Sequence, residues 1–106
     1  MQDQYKPYIA QTVGELWDKI GSFMLSSPKF EDRSGWFPGM SIETEFYGLN
    51  ESIVNLRNEL GEDRHLKLLA LSKQMRAYFD ADPEDENGEA IKGRELILEM
   101  ESLLQQ

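Results

Sequence analysis

The chain contains no cysteine and a single histidine, His65. The first absence removes disulfide frameworks, cysteine metal sites and cysteine nucleophiles together, and it fits a reducing cytoplasm. The second leaves only one imidazole and carboxylates from which to assemble a zinc site. No apolar run approaches the roughly 18 residues of a membrane span. The opening MQDQYKPYIAQ has neither the basic nor the apolar region of a secretory signal. No glycine-rich phosphate loop follows a strand, since Gly35 and Gly39 flank aromatic residues instead. No Gly-x-Ser-x-Gly elbow accompanies His65, which reads as a partly exposed residue near a helix start, beside Glu62 and Asp63. No basic patch interleaves with aromatics; Arg64, Lys67, Lys73 and Arg76 read as i,i+3 and i,i+4 partners along one helix.

What is present suits one helical domain over residues 1–106, with 40% hydrophobic residues and a mean hydropathy of −0.58. The stretch from Glu62 to Phe79, EDRHLKLLALSKQMRAYF, organises the rest. Leu66, Leu68, Leu69, Ala70, Leu71, Met75, Tyr78 and Phe79 cover more than one face of a 3.6-residue helix, so it is expected to pack on several sides. Before it, Ile9, Val13, Leu16, Trp17, Ile20, Phe23 and Met24 predict a helix over 8–25, with Pro7 in its first turn and Ser26, Ser27 and Pro28 ending it. Ile42, Phe46, Leu49, Ile53, Leu56 and Leu60 predict a second helix over 41–60, capped by Ser41 and closed by Gly61. Alternation of Met40, Ile42, Thr44 and Phe46 with polar residues also allows a short strand near residues 40–46. Asp82 and Pro83 stop the central helix. Ile91, Leu96, Ile97, Met100, Leu103 and Leu104 mark a last helix over 89–104. The expected fold is all-α, an irregular four-helix bundle.

The net charge of −9 is unevenly distributed. Residues 80–106 hold nine acids against Lys92 and Arg94, whereas the chain up to Phe79 is nearly neutral. Nucleic acid and anionic membranes are poor partners for such a surface, and a basic protein is a natural one. The acidic run DADPEDENGE, Asp80 to Glu89, joins two helices, so a calcium loop must be tested. Starting at Glu84 puts Ile91 at position eight and Glu95 at position twelve, but Glu84, Gly88 and Glu89 then occupy positions one, five and six, where the ligand set and the sharp-turn glycine fail. Paired carboxylates carry little catalytic meaning among twenty acids. The sequence thus predicts neither an enzyme nor a metal or cofactor site.

The loop SSPKFEDRSGWFPG carries Phe30, Trp36 and Phe37 among turn residues. Such rings either fold back onto the core or anchor a partner. The expected contact surface comprises Asp80, Asp82, Glu84, Asp85, Glu86 and Glu89, extended by Glu95 and Glu99, with Trp36 and Phe37 as anchors where they share its side. In size, charge and helical pattern, though in no motif, the chain resembles the bacterial immunity proteins that neutralise toxin nucleases. That resemblance implies an inhibitor acting on a basic partner. The alternative is an assembly protein, in which the apolar excess of the last two helices is covered by a homodimer.

Overall fold

The computed structural model describes residues 5–32 and 36–106. Five helices follow one another: α1 (Val13–Ser26), α2 (Ile42–Asn55), α3 (Arg57–Leu60), α4 (Glu62–Asp80) and α5 (Glu89–Leu104). No strand occurs among the described residues, so the fold is all-α and the stretch 40–46 belongs to a helix entrance. Ser41 decides that stretch. Its hydroxyl accepts the Thr44 N–H while the Thr44 hydroxyl accepts the Ser41 N–H, a reciprocal cap that satisfies two otherwise orphaned donors.

The four long helices run alternately up and down. Phe23 meets Phe46 between α1 and α2, Asn50 meets Ser72 between α2 and α4, and Arg64 reaches Leu103 from α4 to α5. Gly21 lies against Glu101 and Ser27 against Arg94, which closes the circuit between α1 and α5. The Cα atoms span 38 × 37 × 16 Å, a bundle flattened into two layers. One end carries the segments 27–32 and 36–41 and the loop 81–88. The other carries the α2–α3–α4 turns and the C-terminus.

α4 does touch three neighbours, α2, α3 and α5. Its buried residues nevertheless form one seam, His65, Leu68, Ser72, Met75 and Phe79, and Leu66 is 56% exposed. The broad apolar arc expected from its sequence is therefore only partly used. α5 departs in the same way: Ile91 is exposed, while Ala90 and Gly93 take the inward positions. His65 also departs from expectation. It is buried, not partly exposed, with Glu62 Oε1 at 3.7 Å from Nδ1 and neither ring nitrogen hydrogen-bonded.

Two predicted helices are shorter than their periodicity suggests. The second breaks at Leu56, whose N–H contracts onto both Ser52 and Ile53 carbonyls; α3 then restarts so that Leu56 and Leu60 both face inward. Gly61, at φ 82°, joins α3 to α4. The first begins at Val13 because Thr12 caps it by accepting the Glu15 N–H. Residues 5–11 instead form an extended arm along α2. The arm's Ala10 N–H donates to Ser52 Oγ at 2.8 Å and its carbonyl accepts from Asn55 at 3.0 Å. Side chains of α2 thus replace the helical hydrogen bonds that this segment would otherwise need.

Four rings close the core beneath the loop end. Phe30 stands edge-on to Phe23, Phe46 and Phe79 at centroid distances of 4.8, 5.5 and 5.6 Å. Phe30 reaches that place from a left-handed backbone, φ 57°, held by its N–H to the Ser26 carbonyl. Of the three loop aromatics, Phe30 alone folds back onto the core.

Candidate functional site

Trp36 and Phe37 remain at the surface, 81% and 54% exposed. The segment that carries them is fixed from several sides. The Phe37 N–H donates to the Asp32 carboxylate, and the Phe37 ring meets Tyr5 edge-on at 5.9 Å. Tyr5 is in turn held by Glu45, whose carboxylate accepts the phenol at 2.6 Å. Burial of Tyr5, and then that hydrogen bond, push its phenol well above the usual tyrosine range. Glu45 itself is buried in the first turn of α2, where a carboxylate complements the helix dipole. Half-buried Lys19 lies nearby; its ammonium is held below the usual lysine range by burial, against the opposing pull of Glu45.

The acidic loop sits at the same end. Lys29 pairs with Glu84 at 3.2 Å, and Arg94 bridges Asp85 at 2.8 Å to Ser27 at 3.0 Å. These links join the acidic loop to the start of the aromatic loop and leave an open polar groove lined by Pro28, Glu31, Asp32 and Glu84.

Much of the acidic loop is internally committed. Asp82 is 1% exposed, and its carboxylate accepts N–H bonds from Glu86, Asn87 and Ala90 at 2.7, 3.3 and 3.0 Å. Burial alone would raise its pKa, but those three donors, with Arg94 nearby, outweigh it and hold the carboxyl below the usual aspartate range. Asp82 therefore builds the loop and is not part of its outer surface. Asp80 pairs with Arg76 and Glu89 with Lys92. Glu86, Glu95 and Glu99 make no ion pair among the described residues.

Of the expected contact set, the loop end gathers Trp36, Phe37, Asp80, Glu84, Asp85 and Glu86, with Glu89 at the start of α5. Glu95 and Glu99 lie on the exposed flank of α5, and Glu99 is about 15 Å down the helix axis from Glu89 at the standard rise. It borders a separate hollow with Lys67, Leu71 and Leu103.

Sequence reasoning missed Tyr5, Asp32 and Glu45, which hold the aromatic segment, and Arg94, which fastens the acidic loop. Only Glu45 left a trace, as an acid in the first turn after a capping serine. Among the described residues, no three His, Asp or Glu side chains converge as a metal site, and no helix is long and apolar enough to cross a membrane. The site belongs to an up-and-down helical bundle in which Phe37, braced by Tyr5 and Asp32, stands exposed with Trp36 at the acidic end. The chain matches no protein-family model, no curated protein and no solved structure.

Proposed function

We propose that this chain is a small acidic protein-binding domain, an inhibitor of immunity type that acts in the cytoplasm and neutralises a basic partner such as a toxin nuclease. The observation that carries this reading is the exposure of Trp36 and Phe37 at the end of the bundle that also carries Glu31 and Glu86, whose carboxylates form no ion pair among the described residues. Phe37 is braced by Tyr5 and Asp32, and large exposed rings are the kind of anchor that dominates binding energy. Glu31 and Glu86, at the same end, steer a cationic surface into place. The contact surface on this reading centres on Trp36, Phe37, Glu31 and Glu86, with Glu84 and Asp85 at its rim. Asp82 is excluded by its burial. The chain acts by binding and needs no cofactor.

The test is affinity capture from the native cell with washes at rising salt, followed by variants against whatever basic protein is released. Trp36→Ala with Phe37→Ala should weaken binding about tenfold or more, through faster dissociation. Glu31→Gln with Glu86→Gln should slow association and flatten its salt dependence. Unchanged binding by both pairs would overturn this surface.

A homodimer is the second reading. Leu66 on α4 and Ile91 and Leu98 on α5 are 56%, 56% and 59% exposed, which leaves part of the apolar excess of these helices uncovered. A molecular mass in solution that stays monomeric with rising concentration removes it.

A further inference from the structure

Asn87 and Gly88 stand where the acidic loop enters α5, and the reactive parts of an asparagine–glycine pair are all set out there. Asn87 is exposed. Its Oδ1 accepts the Glu89 N–H at 3.0 Å, and its Nδ2 donates to the Ala81 carbonyl at 3.0 Å. A donor on one side and an acceptor on the other fix which way the amide faces. Gly88 is at φ 88° with no side chain over its nitrogen, and its N–H makes no hydrogen bond among the described residues.

We infer that Asn87 is a site of spontaneous backbone modification, converting through a cyclic imide to aspartate and isoaspartate. The Gly88 nitrogen, on losing its proton to solvent, attacks Asn87 Cγ and forms the new C–N bond. Negative charge then develops on Oδ1. That atom already holds the Glu89 N–H, one of the unpaired donors at the N-terminus of α5, so the developing oxyanion meets a positioned donor and the positive end of a helix dipole. The Cγ–Nδ2 bond breaks, and the nitrogen takes a proton from solvent to leave as ammonia. Water opens the five-membered imide at either carbonyl. One route leaves an ordinary aspartate in place of the asparagine, and the other carries the main chain through the former side chain as isoaspartate. The balance is amide plus water to carboxylic acid plus ammonia, with no oxidant or reductant.

The change reaches beyond one charge. A carboxylate at position 87 cannot donate to the Ala81 carbonyl, and it adds to the charge of Asp82, Asp85, Glu86 and Glu89 around it. The isoaspartyl form also lengthens the main chain beside the Asn87 N–H that Asp82 accepts. The loop that fastens α4 to α5 is therefore loosened with age.

The chain supplies its own controls. Asn50, Asn55 and Asn58 precede Glu51, Leu56 and Glu59, whose side chains crowd the attacking nitrogen. Folded, full-length protein is held at mildly alkaline pH and 37 °C, with a parallel sample unfolded in urea, and both are peptide-mapped by mass with an isoaspartate-specific assay. Conversion at Asn87 should exceed that at each of the other three asparagines several-fold. Its rate in the folded chain should lie within about tenfold of the urea sample, because the oriented donor compensates for restricted motion. An amide that persists at Asn87 in the folded chain while the urea sample converts would overturn the inference, as would equal conversion at all four asparagines.

Discussion

The Phe79 ring lies directly against the backbone of Gly93. A Cβ at Gly93 would fall 2.6 Å from Phe79 Cε1 and 2.9 Å from Cδ1 and Cζ, so α4 and α5 reach their observed separation only because residue 93 has no side chain. Phe79 is 1% exposed and ringed by Phe30 and Phe46, with nowhere to retreat. Gly93→Ala gains about 1 kcal/mol of helix propensity but overpacks a tight core, at a cost of about 1–3 kcal/mol. The expected net outcome is a lower melting temperature. Gly93→Ala combined with Phe79→Leu should recover part of what the two changes lose separately. That coupling is read from a double-mutant cycle of thermal or urea unfolding.

Asp82 makes stability depend on pH. Its folded-state pKa is lowered, so the folded protein holds the ionised form more strongly than the unfolded chain does. That contribution is present above the ordinary aspartate value of about 3.9 and is lost as pH falls through the lower folded value. Asp82→Asn keeps the shape but weakens acceptance of the Glu86 and Ala90 N–H groups. It should lower the melting temperature at pH 7 by about 5 °C or more, and by less near pH 3, so that the acid limb of stability against pH flattens. Parallel melts across that range decide it; an unchanged limb would show that Asp82 does not govern it.

Periodicity was a good guide to where the long helices lie and a poor guide to what they bury. Ser41, Gly61 and the 89–104 stripe announced their roles because capping and 3.6-residue spacing are local signals. Ile9 continued the stripe of α1 yet sits in an extended arm, because Ser52 and Asn55, more than 40 residues away, satisfy the arm's backbone. Ile91 and Gly93 show the same limit on α5: the stripe favours the large residue, but the approach of Phe79 selects the glycine for the inside. At the loop end, acidic composition marked the region but could not separate Asp82, turned inward as a cap, from Glu86, which stays outside.

His65 is a stability cost on the seam of α4. Both ring nitrogens are buried without hydrogen-bond partners among the described residues, and the Glu62 carboxylate, 3.7 Å from Nδ1 through Oε1, is engaged by Arg57 through Oε2. Leaving buried polar atoms unsatisfied costs about 1–3 kcal/mol. His65→Leu, matching the aliphatic residues along the seam, should therefore stabilise the domain by about 1 kcal/mol at pH 7, seen as a higher urea midpoint with an unchanged slope. A lower midpoint would mean that the imidazole has a partner, such as a bound water, that the leucine forfeits.

The arm formed by residues 5–11 depends on Gly48 as α5 depends on Gly93, but its opening has a different consequence. A Cβ at Gly48 would stand 2.7 Å from Pro7 Cβ and 3.0 Å from Lys19 Nζ. Lys19 ends in a flexible ammonium and can swing out, whereas Pro7 is a rigid ring on a backbone tied down at Ala10. Gly48→Ala should therefore lift the arm and leave the α1–α2 contact in place. The Tyr5 phenol then loses Glu45, and the Phe37 ring loses the edge it rests on. Helical circular dichroism should change little, because residues 5–11 contribute no helix. Limited chymotryptic cleavage after Tyr8 should accelerate several-fold as the local opening free energy falls. Wild-type cleavage rates in Gly48→Ala would show that the arm is not held by its fit at Gly48. Faster cleavage with unchanged helicity would show that the arm is held by its fit at Gly48 and is separable by a single methyl group from the bundle beneath it.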